Sequence, residues 1–130
     1  MTTRRRSINI AGFRHSNPIP NASIVGSLLM SGVIVGRDPG AKTIPEDLDG
    51  QLANMFAHVD EIMRTAGGSP DDIIKMTVWL ADTGDRELLN KRWLEMFPDP
   101  DARPTRHVLP LQVRSDALVQ CDITAVLEEA

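Results

Sequence analysis

Two polar side chains in the last third of the chain are of the types that act on small carboxylates. Arg103 precedes the extended segment 104–108, and Asp122 lies inside the strand-like run 118–126. A guanidinium presents a planar fork of N–H donors that binds a carboxylate through two hydrogen bonds. A carboxylate within reach of the same ligand can orient or activate a water molecule. The pair therefore predicts a site that holds a small carboxylate substrate and a water.

Each of these residues could instead have a purely structural role, in which it forms an ion pair with another side chain of the protein. The candidate partners are Asp99 and Asp101 for Arg103, and Lys75 and Arg114 for Asp122. Pro104 biases the residue before it towards extended backbone, so alternation places Arg103, Thr105 and His107 on one side of a strand. The two acids near Arg103 belong to a proline-flanked loop, which favours the functional interpretation there. Both interpretations of Asp122 stay open.

The overall composition restricts the class of protein. The 130 residues carry a net charge of -4 and one cysteine. This length sustains one hydrophobic core, so residues 1–130 are predicted to form a single domain. A net acidic chain lacks the basic field that attracts nucleic acid or anionic membranes, and one cysteine excludes an internal disulfide. No long apolar segment follows the run from Arg4 to Arg6, which predicts a cytoplasmic protein without a nucleic-acid or membrane partner.

The hydrophobic pattern predicts short strands and two amphipathic helices. The predicted strands are a first one around Ile8 to Phe13, one or two within 28–35 broken at Gly32, one over 73–81, and two that close the chain. The helices are predicted over 46–66, ended by Gly67, and over 85–97. Residues 15–23 are predicted as a proline-rich loop and residues 69–72 as a capped turn. In the strand 73–81 the buried side is predicted to hold Ile74, Met76, Val78 and Leu80.

This order, β-β-β-α-β-α-β-β, predicts an α+β fold in which two helices cover one face of a mixed sheet. In the last strand the core-facing set is Val119, Cys121, Ile123, Ala125 and Leu127. The opposite face of that strand mixes apolar and polar residues. A half-apolar face of this kind is expected to be buried in an oligomer.

The order of elements and four short stretches are similar to those of a known family. The stretches are Val25-Gly26-Ser27-Leu28-Leu29-Met30-Ser31-Gly32, Met76-Thr77-Val78-Trp79-Leu80, Leu89-Asn90 with Phe97, and Ala102-Arg103 with Asp122 and Ala125-Val126. In these the chain resembles the reactive intermediate/imine deaminase family, also called the RidA or YjgF family. The resemblance implies a chorismate-mutase-like α+β subunit and a homotrimer that encloses a central barrel, with sites between subunits. It also implies cofactor-free hydrolysis of 2-imino and 2-enamino acids to 2-keto acids and ammonia.

The same resemblance suggests roles for six residues. Arg103 matches the arginine that binds the substrate carboxylate, and Asp122 stands where the family has a glutamate that positions or activates water. Thr105 stands where the family often has a cysteine, and there the backbone matters more than the side chain. Ser31 and Asn90 match polar positions around the cleft. Asn21 is the nearest match to a tyrosine that lines the cleft in many members, whereas this sequence has no tyrosine.

The departures from the family keep other functions open. The shorter acid and the missing tyrosine are compatible with a larger unsaturated substrate of the 2-aminomuconate type, or with a trimer that binds a metabolite without turnover. RNA cleavage is attached to some relatives, but the chain lacks a paired-histidine or lysine-rich site. His15, His58 and His107 form no metal-binding pattern, so neither a metal nor another cofactor is expected.

Overall fold

The computed structural model describes residues 4–112 and 115–128. Within them the strands are β1 Arg5–Ile8, β2 Ala22–Val25, β3 Leu28–Ser31, β4 Ile34–Val35, β5 Ile73–Leu80, β6 Thr105–Pro110 and β7 Val119–Val126. The helices are α1 Leu48–Thr65 and α2 Arg86–Met96, and a single 3-10 turn covers Pro70–Asp72. Neither α1 nor α2 is long and apolar enough to cross a membrane, and no other helix of the described ranges is.

The strands form one mixed sheet in the order β1-β2-β3-β7-β5-β6, with β4 also paired to β7. Strands β5 and β6 run parallel, and α2 connects them; the other neighbours are antiparallel. A parallel pair requires such a crossover connection. The predicted α+β fold with a mixed sheet and two helices is confirmed.

Helix α1 forms because its apolar residues recur at helical spacing and both ends are capped. Asp47 accepts a hydrogen bond from the Gly50 amide at 2.9 Å, and Gly67 takes a φ of 90° after the last turn. A left-handed φ favours glycine, which lacks a Cβ. The helix buries a stripe against the sheet that comprises Leu52, Met55, Phe56, Val59, Ile62 and Met63. The predicted helix is confirmed with slightly shorter bounds.

Two details of the first strands differ from the predictions, and one agrees. The first strand ends at Ile8, although Ile10 and Phe13 beyond it are still buried. Strand β2 was missed, because its start lies in the segment predicted as a loop. It forms a hairpin with β3 through Gly26, whose φ of 61° suits a two-residue turn. The break at Gly32 is confirmed, since β3 and β4 are separate strands.

The face assigned to Ile74 was wrong. The pairing of β5 with β7 shifts between Ile73 and Lys75, so Ile73 is buried and Ile74 is 51% exposed. An irregularity of this kind inserts one residue and reverses the alternation on one side of it. The remaining predicted residues of that face, Met76, Val78 and Leu80, are buried.

The two faces of the sheet differ in their burial. On the helix side of β7 all five predicted core residues are buried, including Cys121 in the centre of the strand. The opposite side is called the open face below. It exposes the large apolar side chains Leu28, Met30, Ile74, Leu109 and Val126, each at least 39% exposed.

Candidate functional site

Asp122 lies in the middle of β7 on the open face. It pairs with Thr77 of β5, and Thr77 pairs in turn with His107 of β6. Burial raises the pKa of the Asp122 carboxyl, while interactions with Thr77 and the charge of Lys75 act in the opposite direction. A carboxylate with a raised pKa is a better proton acceptor than an ordinary one. The geometry therefore gives Asp122 a partner that orients it and an environment suited to a general base.

Arg103 is held in place by the carbonyl groups that follow α2. Its Nε donates to the Phe97 carbonyl at 2.8 Å, and its Nη2 lies 3.3 Å from the Pro98 carbonyl oxygen. These bonds use two of the five guanidinium N–H donors. Within residues 4–112 and 115–128 Arg103 forms no ion pair, and Asp99 instead accepts a hydrogen bond from the amide of Asp101. The guanidinium is fixed but has no carboxylate partner in the described part of the chain.

Thr105 is the first residue of β6 and pairs with Lys75 of β5. Strand β6 is at one edge of the sheet, so one row of its backbone N–H and C=O groups points away from the sheet. Thr105 is exposed, as is His107 two residues later. Both the side chain and the outer backbone edge of Thr105 are open to a ligand, and the role expected of its backbone stays a prediction.

Ser31 fills the gap that the strand break leaves beside β7. Its hydroxyl accepts a hydrogen bond from the Ile123 amide at 2.9 Å and donates to the Gly32 carbonyl at 2.8 Å. The register passes from Met30 opposite Thr124 to Ile34 opposite Cys121, so neither strand supplies a partner to Ile123. The Ser31 side chain thus braces the sheet, and direct contact with a substrate stays a prediction.

Asn21 is 3% exposed and joins the first strand to the loop that follows it. Its Oδ1 accepts from the Ile10 amide at 2.9 Å, and its Nδ2 donates to the Phe13 carbonyl at 2.8 Å. An open cavity of about 530 Å³ lies beside the same loop and is lined by residues that include Arg14, His15, Pro18 and Ile19. Asn21 shapes this loop, and the substrate contact predicted for it stays untested.

Asn90 projects from α2 beside β6. Its Oδ1 accepts a hydrogen bond from Nη2 of Arg106 at 2.9 Å. Arg106 was not predicted from the sequence, and neither was Thr77 as the partner of Asp122. The alternation of β6 is a signal that could have placed Arg106 on the helix side, because Arg106 alternates with Thr105 and His107. No comparable signal identifies Thr77, because its pairing with Asp122 depends on a register set by the whole sheet.

The sequence model of the Endoribonuclease L-PSP family matches residues 17–127. That range includes all six candidate residues and nearly all of the sheet. The chain belongs to this family, which is the YjgF/RidA family. The predicted resemblance is thereby confirmed.

Curated relatives carry the names of deaminases and of related proteins. Reactive Intermediate Deaminase A, chloroplastic, of Arabidopsis thaliana is 26% identical over 98 residues, which are 75% of this chain and 52% of that protein. The RutC family protein of Aquifex aeolicus is 29% identical over 102 residues, or 78% of this chain and 81% of that one. The chain thus spans about half the length of the plant relative.

Solved structures of family members have the same fold. The structure of Escherichia coli TdcF with bound serine has a TM-score of 0.85 and 25% identity, and the match covers 95% of this chain and 99% of that one. RidA from Psychrobacter sp. PAMC 21119 has a TM-score of 0.86 and 22% identity, over 94% and 99% of the two chains. The YjgF/RidA fold therefore extends over nearly the whole chain.

Proposed function

We propose that the protein hydrolyses 2-imino and 2-enamino acids to 2-keto acids and ammonia at sites between the subunits of a homotrimer. The observation that carries this proposal is the state of Arg103. Its guanidinium is held by two carbonyl groups, lacks an acidic partner among the described residues, and stands beside an edge strand. Membership of the YjgF/RidA family supports the reaction class, since relatives bear the name reactive intermediate deaminase.

In the proposed mechanism Arg103 binds the substrate carboxylate through the donors that the two carbonyl groups leave unused. An enamine first tautomerises to its imine. A water beside Asp122 then attacks the imine carbon, and the carboxylate accepts a proton from this water. Asp122 then gives this proton to the nitrogen of the carbinolamine and accepts the proton of its hydroxyl group as the C–N bond breaks, so that ammonia leaves, the 2-keto acid remains and the last proton passes to solvent. Because an iminium carbon is already electrophilic, orientation of the water and modest base catalysis suffice.

The placement of the candidate residues in the sheet supports a site made by more than one subunit. Asn21 directly precedes β2, which is four strand positions from β6 in the sheet order. At about 4.8 Å per strand, this corresponds to roughly 19 Å within one subunit. A small carboxylate cannot span that distance. A second copy that packs on the open face would cover its exposed apolar residues and bring the two groups of candidates together.

The test of the proposal is the release of keto acid and ammonia from imines generated in situ by an amino-acid oxidase. Wild-type protein is expected to exceed the spontaneous rate, and Arg103→Ala is expected to lose about 100-fold or more in kcat/KM, because a charged bidentate anchor is removed. The matched control is Arg64→Ala, which removes an exposed arginine whose partner is Asp60 on the same helix.

Substrates with small, aliphatic and acidic side chains should be compared at equal folded concentrations. If folded wild-type protein accelerates none of them, the hydrolytic proposal is overturned. Binding of the corresponding keto acids would then be measured by calorimetry, and binding that depends on Arg103 would favour a metabolite-binding trimer.

A further inference from the structure

Arg106 occupies an unusual environment for a charged side chain. Its guanidinium carbon lies 4.9 Å from the centre of the Trp93 ring, and its Nη2 donates to Asn90 Oδ1 at 2.9 Å. Its Nη1 is buried and has no hydrogen-bond partner in the described ranges. Burial, and then the nearby charge of Arg86, lower the pKa of Arg106. Arg106 forms no ion pair with any acid of the described residues.

This arrangement costs stability. A buried donor without a partner retains its desolvation penalty, and a second cation close by adds repulsion. On the same side, Val108 of β6 and Trp93 of α2 pack with the core. An aliphatic side chain at position 106 would fill the same space without the unpaired donor. The fold alone therefore does not account for an arginine at this position.

The arginine does fix the orientation of the Asn90 amide. A guanidinium only donates hydrogen bonds, so the amide oxygen must face Arg106 and the NH2 group must face away from it. Asn90 is exposed, and its side chain makes no other hydrogen bond within the described residues. The contact with a charged donor also polarises the amide. The two N–H donors of Asn90 are thus presented to whatever ligand lies beside α2 and β6.

The distance between Asn90 and Arg103 determines which part of a ligand Asn90 contacts. Arg103 is bound to the carbonyl of Phe97, the residue that caps the end of α2 and follows Asn90 by seven positions. At a rise of 1.5 Å per residue this is about 10 Å. A substrate whose carboxylate is bound by Arg103 therefore meets Asn90 with the far end of its side chain.

We propose that Arg106 is a positioning residue that holds Asn90 as a donor for a second acceptor oxygen, so that the site prefers imino acids with a carboxylate or amide at the end of the side chain. The inference depends on the proposed function, because it assigns the substrate class of the same site. The nearby charges of Arg106 and Arg86 favour a carboxylate over a neutral acceptor at this end.

The test compares 2-iminoglutarate with 2-iminopentanoate, two substrates of equal chain length that differ in the terminal carboxylate. Wild type is expected to prefer the diacid in kcat/KM by about tenfold, the worth of a hydrogen bond to a charged group. Arg106→Leu and Asn90→Ala should each remove the preference by raising KM for the diacid while kcat stays within twofold. A rise in KM at constant kcat indicates the loss of an interaction that the enzyme makes equally with the substrate and with the transition state.

Two further variants distinguish positioning from a purely structural role. The double variant Arg106→Leu/Asn90→Ala should be no worse than Asn90→Ala alone, because Arg106 acts through Asn90. The thermal midpoint of Arg106→Leu should equal or exceed that of wild type, since the unpaired buried donor is removed. Lys91→Gln, which removes an exposed charge next to Asn90 on α2, serves as the matched control and should retain the preference.

Three results would overturn the inference while the proposed function stands. These are equal turnover of both imines by wild type, an unchanged ratio in Arg106→Leu, and a smaller assembly of Arg106→Leu, which would assign Arg106 to a subunit contact. Calorimetry with 2-oxoglutarate and 2-oxopentanoate gives a second readout that needs no turnover, and the same preference and the same losses are expected. If wild type hydrolyses no imine at all, it is the proposed function that fails.

Discussion

The polar residues at the two ends of the sheet differ in how much hydrogen-bonding capacity they leave unused. Towards the β1 end, Asn21 and Ser31 direct their side chains to backbone groups of the same subunit. Towards the β6 end, Arg103 and Asn90 are held by one part of the side chain and keep donors on the other. A buried side chain that bonds through both its donor and its acceptor groups stabilises the fold, whereas an exposed one that is held and still has free donors can bind a ligand. We therefore expect the two ends to play different roles.

The largest expected effect follows from blocking the proposed subunit interface, because in the proposed site the two ends of the sheet meet only across it. Met30→Glu places a charge in the middle of the open face, where Met30 is 57% exposed. Burying that charge in an interface is unfavourable, so we expect loss of the proposed trimer and of nearly all activity. Light scattering and the imine assay measure both. Leu94→Glu, on the outer side of α2 at 49% exposure, is the control and should leave the assembly intact. A monomeric Met30→Glu variant with full activity would show that one subunit contains a whole site.

The second-largest expected effect is a loss of stability, and it tests whether Asn21 at the β1 end of the sheet stabilises the fold. Asn21→Ala leaves the Ile10 amide and the Phe13 carbonyl without their partners. At about 1–3 kcal/mol for each of these two buried groups, the free energy of unfolding should fall by roughly 2–6 kcal/mol. Urea denaturation measures this, with Asn17→Ala in the exposed part of the same loop as control. If Asn21→Ala has normal stability but a much larger KM, Asn21 binds the ligand and does not serve mainly to stabilise the fold.

Asp122 gives a prediction with a defined pH dependence. Since its pKa is raised in the folded state, ionisation of Asp122 is unfavourable to the fold, and the stability associated with its neutral form is lost as pH rises above the ordinary aspartate value of about 3.9. Asp122→Asn should therefore be as stable as wild type or more so at neutral pH, while kcat falls by about 100-fold because a general base is removed.

The pH profile of kcat completes the test of Asp122. In wild type kcat should decrease on the acidic side, as Asp122 becomes protonated, and this limb should be absent from the residual activity of Asp122→Asn. Asp99→Asn, in the loop before β6, should retain the acidic limb. If Asp122→Asn keeps the wild-type kcat, Asp122 is not a catalytic residue.

The smallest expected effect concerns Ser31. Ser31→Ala removes the acceptor of the Ile123 amide and should lower the free energy of unfolding by about 1–2 kcal/mol, with little change in KM. Thermal unfolding and steady-state kinetics measure the two quantities. Ser23→Ala, a half-buried serine of β2, is the matched control. A rise in KM without loss of stability would place Ser31 among the ligand-binding residues.

The sequence predicted those parts of the fold in which local pattern and tertiary structure agree. The spacing in α1 and the alternation in β7 are each set within one element, so both were predicted with their buried faces. Strand β2 was missed because its first two residues lie in the segment 15–23, which was predicted as a loop, and only two more residues precede Gly26. The exposure of Ile74 was missed because it depends on a shift in pairing with β7, which local alternation does not encode.

From the sequence, the candidate site could be predicted only as a set of residues with suitable chemistry, without the contacts that hold them in place. Arg103 and Asp122 were identified from their chemistry and from motifs, and the structure supplies the groups that hold them. Thr77 beside Asp122 depends on the register of two strands more than forty positions apart in sequence, and Arg106 beside Asn90 depends on how α2 packs over β6. These contacts are long-range, so no short motif contains them.

The single thiol of the chain has a practical consequence. Cys121 is completely buried in the central strand, and burial, together with the nearby Asp122, raises the pKa of its thiol. The family's frequent cysteine position carries Thr105, so the proposed site contains no sulfur. Thiol reagents can therefore modify the protein only when the sheet opens, and their rate of reaction in the absence of denaturant records how often it does. Every molecule thus carries a built-in reporter of its own transient opening.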